Sequence, residues 1–411
     1  MTLHKFTLEK KFSEKHIGPF MDQFYKIYKE RKPSSKFIFD FSTVQWIANQ
    51  ELLVITGLLK TLLNENVSFY VTFLAQGSGQ TLDIRRVRNI VQIWETWKIY
   101  QIIPDAHFKN YFDIDGNSVE NFKKHFKINT SNNEIYNRHG VTPFVSLNYV
   151  KNFDDKIISR MLNEVYKLNE ATSEILQKNH CYLPFENKTL ASIITKELYE
   201  NFLDHYENGI FISENKNAFL SIGLSRRIEE ASQLLLAKNF KEEFIPELKS
   251  FFTDSESNLF YNRSLLQLTF TDFGAGIPST LRTQFNKKKD ISITESNEKS
   301  DSDILEYAFE YDSSKDPLAS RFTERAVIPR GLFDLLSIVQ RFNGLITIRS
   351  SYGKIFYDFS SNTDNLKAQR FTESNNFYPG TLINIYLPER KEKGKIESTV
   401  IKPSLSHESF T

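Results

Sequence analysis

The sequence predicts an α/β protein, and three observations predict it. Short β-type runs alternate with amphipathic helical stretches through residues 1–105. Apolar strand-like runs recur at 265–271, 345–349 and 383–388, with helical periodicity between the last two at 331–342. The 411 residues are 40% hydrophobic, with 36 Phe and 18 Tyr, enough apolar material for two or three cored domains.

In chain order, residues 3–8 read as a strand, 16–30 as an amphipathic helix, 37–41 as a buried strand, 51–63 as a helix, 67–74 as a strand and 87–98 as a closing helix. A first domain therefore spans 1–105. Residues 106–150 form a polar connection, rich in Asn, Lys, Asp and Ser over 113–136, that ends in an extended run at 141–147. A second domain spans 151–390, with helices at 157–177 and 196–206, strands at 218–224 and 265–271, and a mostly helical insertion at 226–262 between them. The tail, 391–411, is charged and poor in apolar residues.

Charge and cysteine usage exclude several classes. With 52 basic against 51 acidic residues the net charge is +1, so no global field favours nucleic acid or an anionic membrane. Cys181 is alone, which rules out an intrachain disulfide or a cysteine zinc site and fits a reducing compartment. Residues 1–12 lack the continuous apolar core of a secretory signal. The most apolar run, 52–63, is interrupted by Lys60 and falls short of the ~20 residues a span needs. The expectation is a soluble, cytoplasmic protein.

Two stretches carry candidate chemistry. On a helix over 196–206, Glu197, Glu200, Asn201, Asp204 and His205 share an arc of roughly 140°, while Leu198, Tyr199, Phe202 and Leu203 fill the other side. Glu197 and Asn201 lie one turn apart, which suits a carboxylate that orients water beside an amide oxygen that binds magnesium. The plainer alternative is a solvated helix face. Further on, Asp272 closes a strand and is followed by Gly274 and Gly276, so backbone can approach a ligand while the carboxylate accepts from an exocyclic amine such as that of adenine. The plainer alternative is a turn.

Taken in order, these motifs resemble those of the GHKL ATPases, the superfamily of gyrase, MutL and the histidine kinases, over about residues 150–390. Glu197 to Asn201 resembles the N box and Asp272 to Gly276 the first glycine box. Gly331 and Leu332 open a helix where the second glycine box belongs, and Gly380 and Thr381 precede the closing strand. The resemblance implies a two-layer α/β sandwich that binds ATP and Mg²⁺. Glu197 would be the general base, Asn201 the magnesium ligand and Asp272 the adenine contact. Gly274, Gly276, Gly331, Leu332, Gly380 and Thr381 would belong to the nucleotide shell, with an ATP lid at 278–329. Pro329 stands where the family usually has an earlier glycine, and Lys287, Lys288 and Lys289 lie in the lid stretch.

Residues 1–105 resemble STAS domains, the fold of anti-sigma-factor antagonists, through the strand at 37–41, the turn with Asp40, Ser42 and Val44, and the helix that follows. Asn49 and Gln50 stand where those antagonists carry the phosphorylatable serine, so this domain is expected to regulate or dock a partner without accepting phosphate there. Together the resemblances imply an ATP-hydrolysing switch with a protein partner and an ATP-dependent homodimer. The alternatives are a protein serine kinase of the anti-sigma-factor type acting on a separate partner, and a non-hydrolysing nucleotide-binding scaffold.

Overall fold

The computed structural model describes residues 2–44, 46–47, 49–72, 103–109, 145–146, 185–212, 218–226, 228–229, 248, 251, 253–254, 261–289, 300–310, 313, 331–360, 367–371 and 376–390. The chain is mixed α/β, with one parallel and one antiparallel main sheet.

The first sheet contains β1 (Leu3–Thr7), β3 (Lys36–Asp40), β5 (Phe69–Thr72) and β6 (Phe108–Lys109) in that order, all parallel. A two-residue strand, β2 (Lys11–Phe12), pairs with another, β4 (Trp46–Ile47). Each crossover in the main sheet moves in the same direction, so right-handed connections put α1 (Glu14–Lys29) and α2 (Asn49–Asn64) on one face. Ile17, Phe20, Met21, Phe24 and Tyr28 form the buried stripe of α1, and Ser13 with His16 closes a capping box at its start. Helix α2 is apolar around most of its circumference, with Leu52, Leu53, Val54, Ile55, Leu58, Leu59 and Leu62 all buried. Such a helix must be covered on more than one side, and α2 lies between the parallel sheet and the second sheet, on which it packs through β8 and β11, defined next.

The second sheet has seven strands, ordered β14 (Gln369–Arg370), β13 (Gly353–Asp358), β12 (Leu345–Ser351), β15 (Tyr378–Arg390), β11 (Tyr261–Asp272), β8 (Ala218–Arg226) and β7 (Val145–Ser146). Every adjacent pair is antiparallel. One face carries α3 (Phe185–His205), α4 (Ile277–Lys288), α5 (Asp301–Ala308) and α6 (Gly331–Arg341) around an apolar core that includes Leu198, Leu268, Phe285, Ile304, Leu335 and Ile385. The other face is covered by α1 and α2, and its Phe219 and Leu382 belong to the same core as Phe6, Phe39 and Leu58 of the N-terminal layers. Among the described residues no helix is long and apolar enough to cross a membrane.

In two stretches the described residues add to the expectation. Much of the stretch assigned to a lid is docked helix: Leu281 and Phe285 of α4, and Ile304, Leu305 and Tyr307 of α5, lie in the core, and an Arg282–Asp301 ion pair joins the two helices. Most of the remaining residues of 278–329 lie outside the described residues. In the insertion, the described residues include a short parallel pair, β9 (Ile228–Glu229) with β10 (Thr253–Asp254), while most of its expected helices fall outside them, as do the expected helices at 87–98 and 157–177, the connection at 113–136 and the tail.

Candidate functional site

Strand β11 ends at Asp272, between Ala218 of β8 and Thr381 of β15. Beyond it the chain turns through Phe273 to Gly276 and enters α4. The turn is held locally: the Gly274 N–H donates to Asp272 Oδ1 at 2.9 Å, and the Ala275 N–H donates to the Glu207 carbonyl at 2.8 Å. Gly276 has φ +84° and Gly380 has φ +91°, a region that L side chains rarely adopt. Room is missing as well, because a Cβ on Gly380 would run into the Asp272 carbonyl. Two glycine turns from distant parts of the chain thus close around one carboxylate.

Burial pushes the Asp272 carboxyl up to about 7, although hydrogen bonds from Gly274 and Thr381 favour its charged form. Its flanks are fixed by the N-terminal core. The Thr271 and Tyr378 hydroxyls are 2.6 Å apart in a buried pair, and Phe273, fully buried, packs edge to face on Phe211 and Phe219. Asp272 therefore sits where strand ends, glycine turns and the shared core meet.

Helix α3 forms the adjoining wall. Leu198, Tyr199 and Phe202 are buried as expected, but Leu203, expected on the packing side, is 41% exposed. Glu197 and Asn201 are half-buried. The Asn201 Nδ2 donates back to the Glu197 carbonyl at 2.8 Å, which fixes the amide against its own helix. Burial, then the negative charges of Glu200 and Asp334, raise the Glu197 pKa. Asp334 is on α6, which packs against α3, so its negative charge is felt at Glu197. At the far end of α3 the chain runs into the glycine turn: Asn208 forms a bridge with Gly274, and the Tyr206 ring would lie 3.0 Å from a Cβ on Gly274.

The predicted residues thus fall into three groups. Asp272, Gly274, Gly276, Gly380 and Thr381 converge on one turn; Glu197 and Asn201 stand together on α3; and Gly331 and Leu332 open α6, with Leu332 packed against the core. The side chains of Asp204 and His205, the surroundings of Gly331, and Pro329 lie outside the described residues. Sequence reasoning missed Asp334 and Ser350. A signal for Asp334 was available, an acid in the first turn of the helix that Gly331 opens. Ser350 had no signal beyond its place at a strand end before the turn at Ser351, whose φ is +52°.

No family model matches the chain, and no curated protein matches it either. Among the described residues there is also no cluster of three His, Cys, Asp or Glu side chains that could hold a metal ion alone.

Proposed function

We propose that this chain is a magnesium-dependent ATP-binding protein of the GHKL type that hydrolyses ATP as a switch, with a STAS-like N-terminal layer as its regulatory element. The observation that carries the reading is Asp272: an acceptor at a strand end, ringed by Gly274, Gly276, Gly380 and Thr381 and able to receive the exocyclic amine of adenine. The all-parallel sheet with its helices on one face supports the STAS-like part.

The residues present fit a nucleotide-borne cation. Magnesium retains waters and takes only one or two protein oxygens when phosphates supply the rest, and Asn201 stands ready with Glu197 and Asp334 close by. When bound, the metal neutralises charge on the phosphates. Glu197, its pKa raised by burial, is suited to accept a proton from an attacking water. Glu197→Ala should keep ATP binding and lose turnover by about 10²–10⁴-fold, the usual share of a positioned general base. Asn201→Ala should also weaken magnesium-dependent binding.

A protein serine kinase is the second reading, favoured by the N-terminal layer built into the same fold: Glu197 would then deprotonate a partner's hydroxyl instead of water. One assay separates the readings. Purified protein with ATP and magnesium is followed for free phosphate and for protein labelling, with and without cell extract. Free phosphate that disappears in Glu197→Ala supports the switch, labelling of a partner with little free phosphate supports the kinase, and binding with neither supports a scaffold.

A further inference from the structure

We propose that Ser350 is the positioning residue of the candidate nucleotide site, clamping its two glycine turns so that the Asp272 carboxyl faces the ligand in one orientation. The inference rests on the nucleotide reading and names a residue which that reading did not contain.

Ser350 lies at the end of β12, fully buried, on the strand neighbouring the start of β15. Its hydroxyl donates to the Gly380 carbonyl at 2.7 Å and accepts from the Ile277 N–H, the first amide of α4, at 3.0 Å. The Thr381 hydroxyl is 3.2 Å away. One oxygen thus ties the turn that follows Asp272 to the turn that holds Thr381 against it. Nothing larger than glycine fits beside it, since a Cβ on Gly276 would lie 2.6 Å from the Ser350 Oγ.

The chemistry explains why a hydroxyl is needed. A serine hydroxyl donates one hydrogen bond and accepts others through the same atom. Here the donor is spent on a backbone carbonyl and an acceptor lone pair on a backbone amide. Alanine would take the Ser350 bond from both in a buried place, a penalty that the structure relieves by letting one turn move away. The Thr381 side would then shift relative to Asp272. A ligand that bridges both turns has to draw them back together, so the loss appears in affinity.

The test compares wild type with Ser350→Ala, Ser350→Cys and Thr347→Val by calorimetric titration with ADP and magnesium, with thermal melts of each protein alone. Thr347 is on the same strand and accepts from Asn384 Nδ2 at 3.3 Å, so its variant also loses a buried hydrogen bond, but on the opposite face. The expected result is affinity weakened about tenfold or more in Ser350→Ala, the effect of leaving buried partners unmet. Ser350→Cys, with a weak donor and acceptor of similar shape, should recover part of that loss, and Thr347→Val should keep wild-type affinity while melting lower. If Ser350→Ala does not fold, Ser350→Cys decides, with affinity below wild type expected. Unchanged affinity in the folded Ser350 variants, or equal weakening in Thr347→Val, overturns the assignment and leaves the nucleotide reading intact. No binding by wild type overturns both.

Discussion

The two faces of the seven-stranded sheet are both buried, but by different chemistry. Toward α3 to α6 it presents Leu220, Ile222, Leu268, Ile346, Ile383 and Ile385, which pack as an ordinary apolar core. Toward α1 and α2 the same strands present Ser221, Gln267, Thr269, Thr347, Arg349 and Asn384, each no more than 7% exposed. Phe219, Leu382 and the neighbouring Phe273 supply an apolar end beside Asp272. An apolar face accepts any well-fitting cover, whereas a buried polar face demands partners at fixed places.

Gln267 donates to Thr269 and Tyr386, and Asn384 to Thr347, within the sheet, while Arg349 and Tyr386 find partners at the starts of α1 and α2. Glu14 faces Arg349 at 3.3 Å and Lys354 at 3.5 Å, and Gln50 donates to Glu14 at 2.7 Å and to Glu51 at 2.6 Å. The Tyr386 hydroxyl donates to Gln50 Oε1 at 2.9 Å. Gln50 is thus committed to holding the N-terminal layer against the sheet.

The largest effect expected from breaking this contrast is at Glu14. Glu14→Ala removes the carboxylate that Arg349 and Lys354 face in a buried setting, and should destabilise the fold by about 3–5 kcal/mol in chemical denaturation. Replacing Glu14 and Arg349 together by methionine should recover most of that loss, because a well-packed apolar pair avoids the desolvation penalty. A double variant no more stable than Glu14→Ala would mean that the polar face owes its stability to the ion pair itself.

A smaller effect is expected from pH. Burial, then the nearby Glu14 charge, pushes the Glu51 carboxyl up to about 8, from 4.5 in the unfolded chain. Between those values the folded state holds a proton that the unfolded state has released, so stability falls as pH rises from about 4.5 to about 8. Asp272, raised from 3.8 to about 7, contributes in the same direction over its own window. Glu51→Gln keeps the neutral form at every pH and should flatten the first of these contributions, making the variant more stable than wild type at pH 8 and close to it at pH 5. Parallel stability curves for the two proteins would contradict the assignment.

The difference between the faces also explains what could be read in the sequence. The stripe of α1, the apolar α2 and the buried Leu198 and Phe202 follow from periodicity, because burial of apolar groups needs no knowledge of the cover. The turn from Asp272 to Gly276 was legible because glycines just past a strand end mark a turn. The polar face was not, since alternating Thr, Gln and Asn in strands reads as a solvated surface until a second layer is docked on it. Helices α4 and α5 were hidden by their composition: Lys287 to Lys289 and the acids of 301–306 outweigh the few apolar positions, Leu281, Phe285, Ile304 and Leu305, that anchor them. Ser350 was silent for a related reason, because its role is set by backbone groups far apart in the chain.

The most direct test of the account is calorimetric titration of wild type and Asp272→Asn with ATP and magnesium. In Asp272, Oδ1 accepts from the Gly274 N–H and the carboxyl also accepts from Thr381, and a ligand amine would be the further donor to it. Asparagine that keeps the Gly274 bond turns an NH₂ donor toward that amine, so binding should be abolished while the fold persists. Tight binding by wild type with none detectable in a folded Asp272→Asn protein is the predicted result; equal affinity in the two, or no binding by wild type, would contradict the nucleotide site.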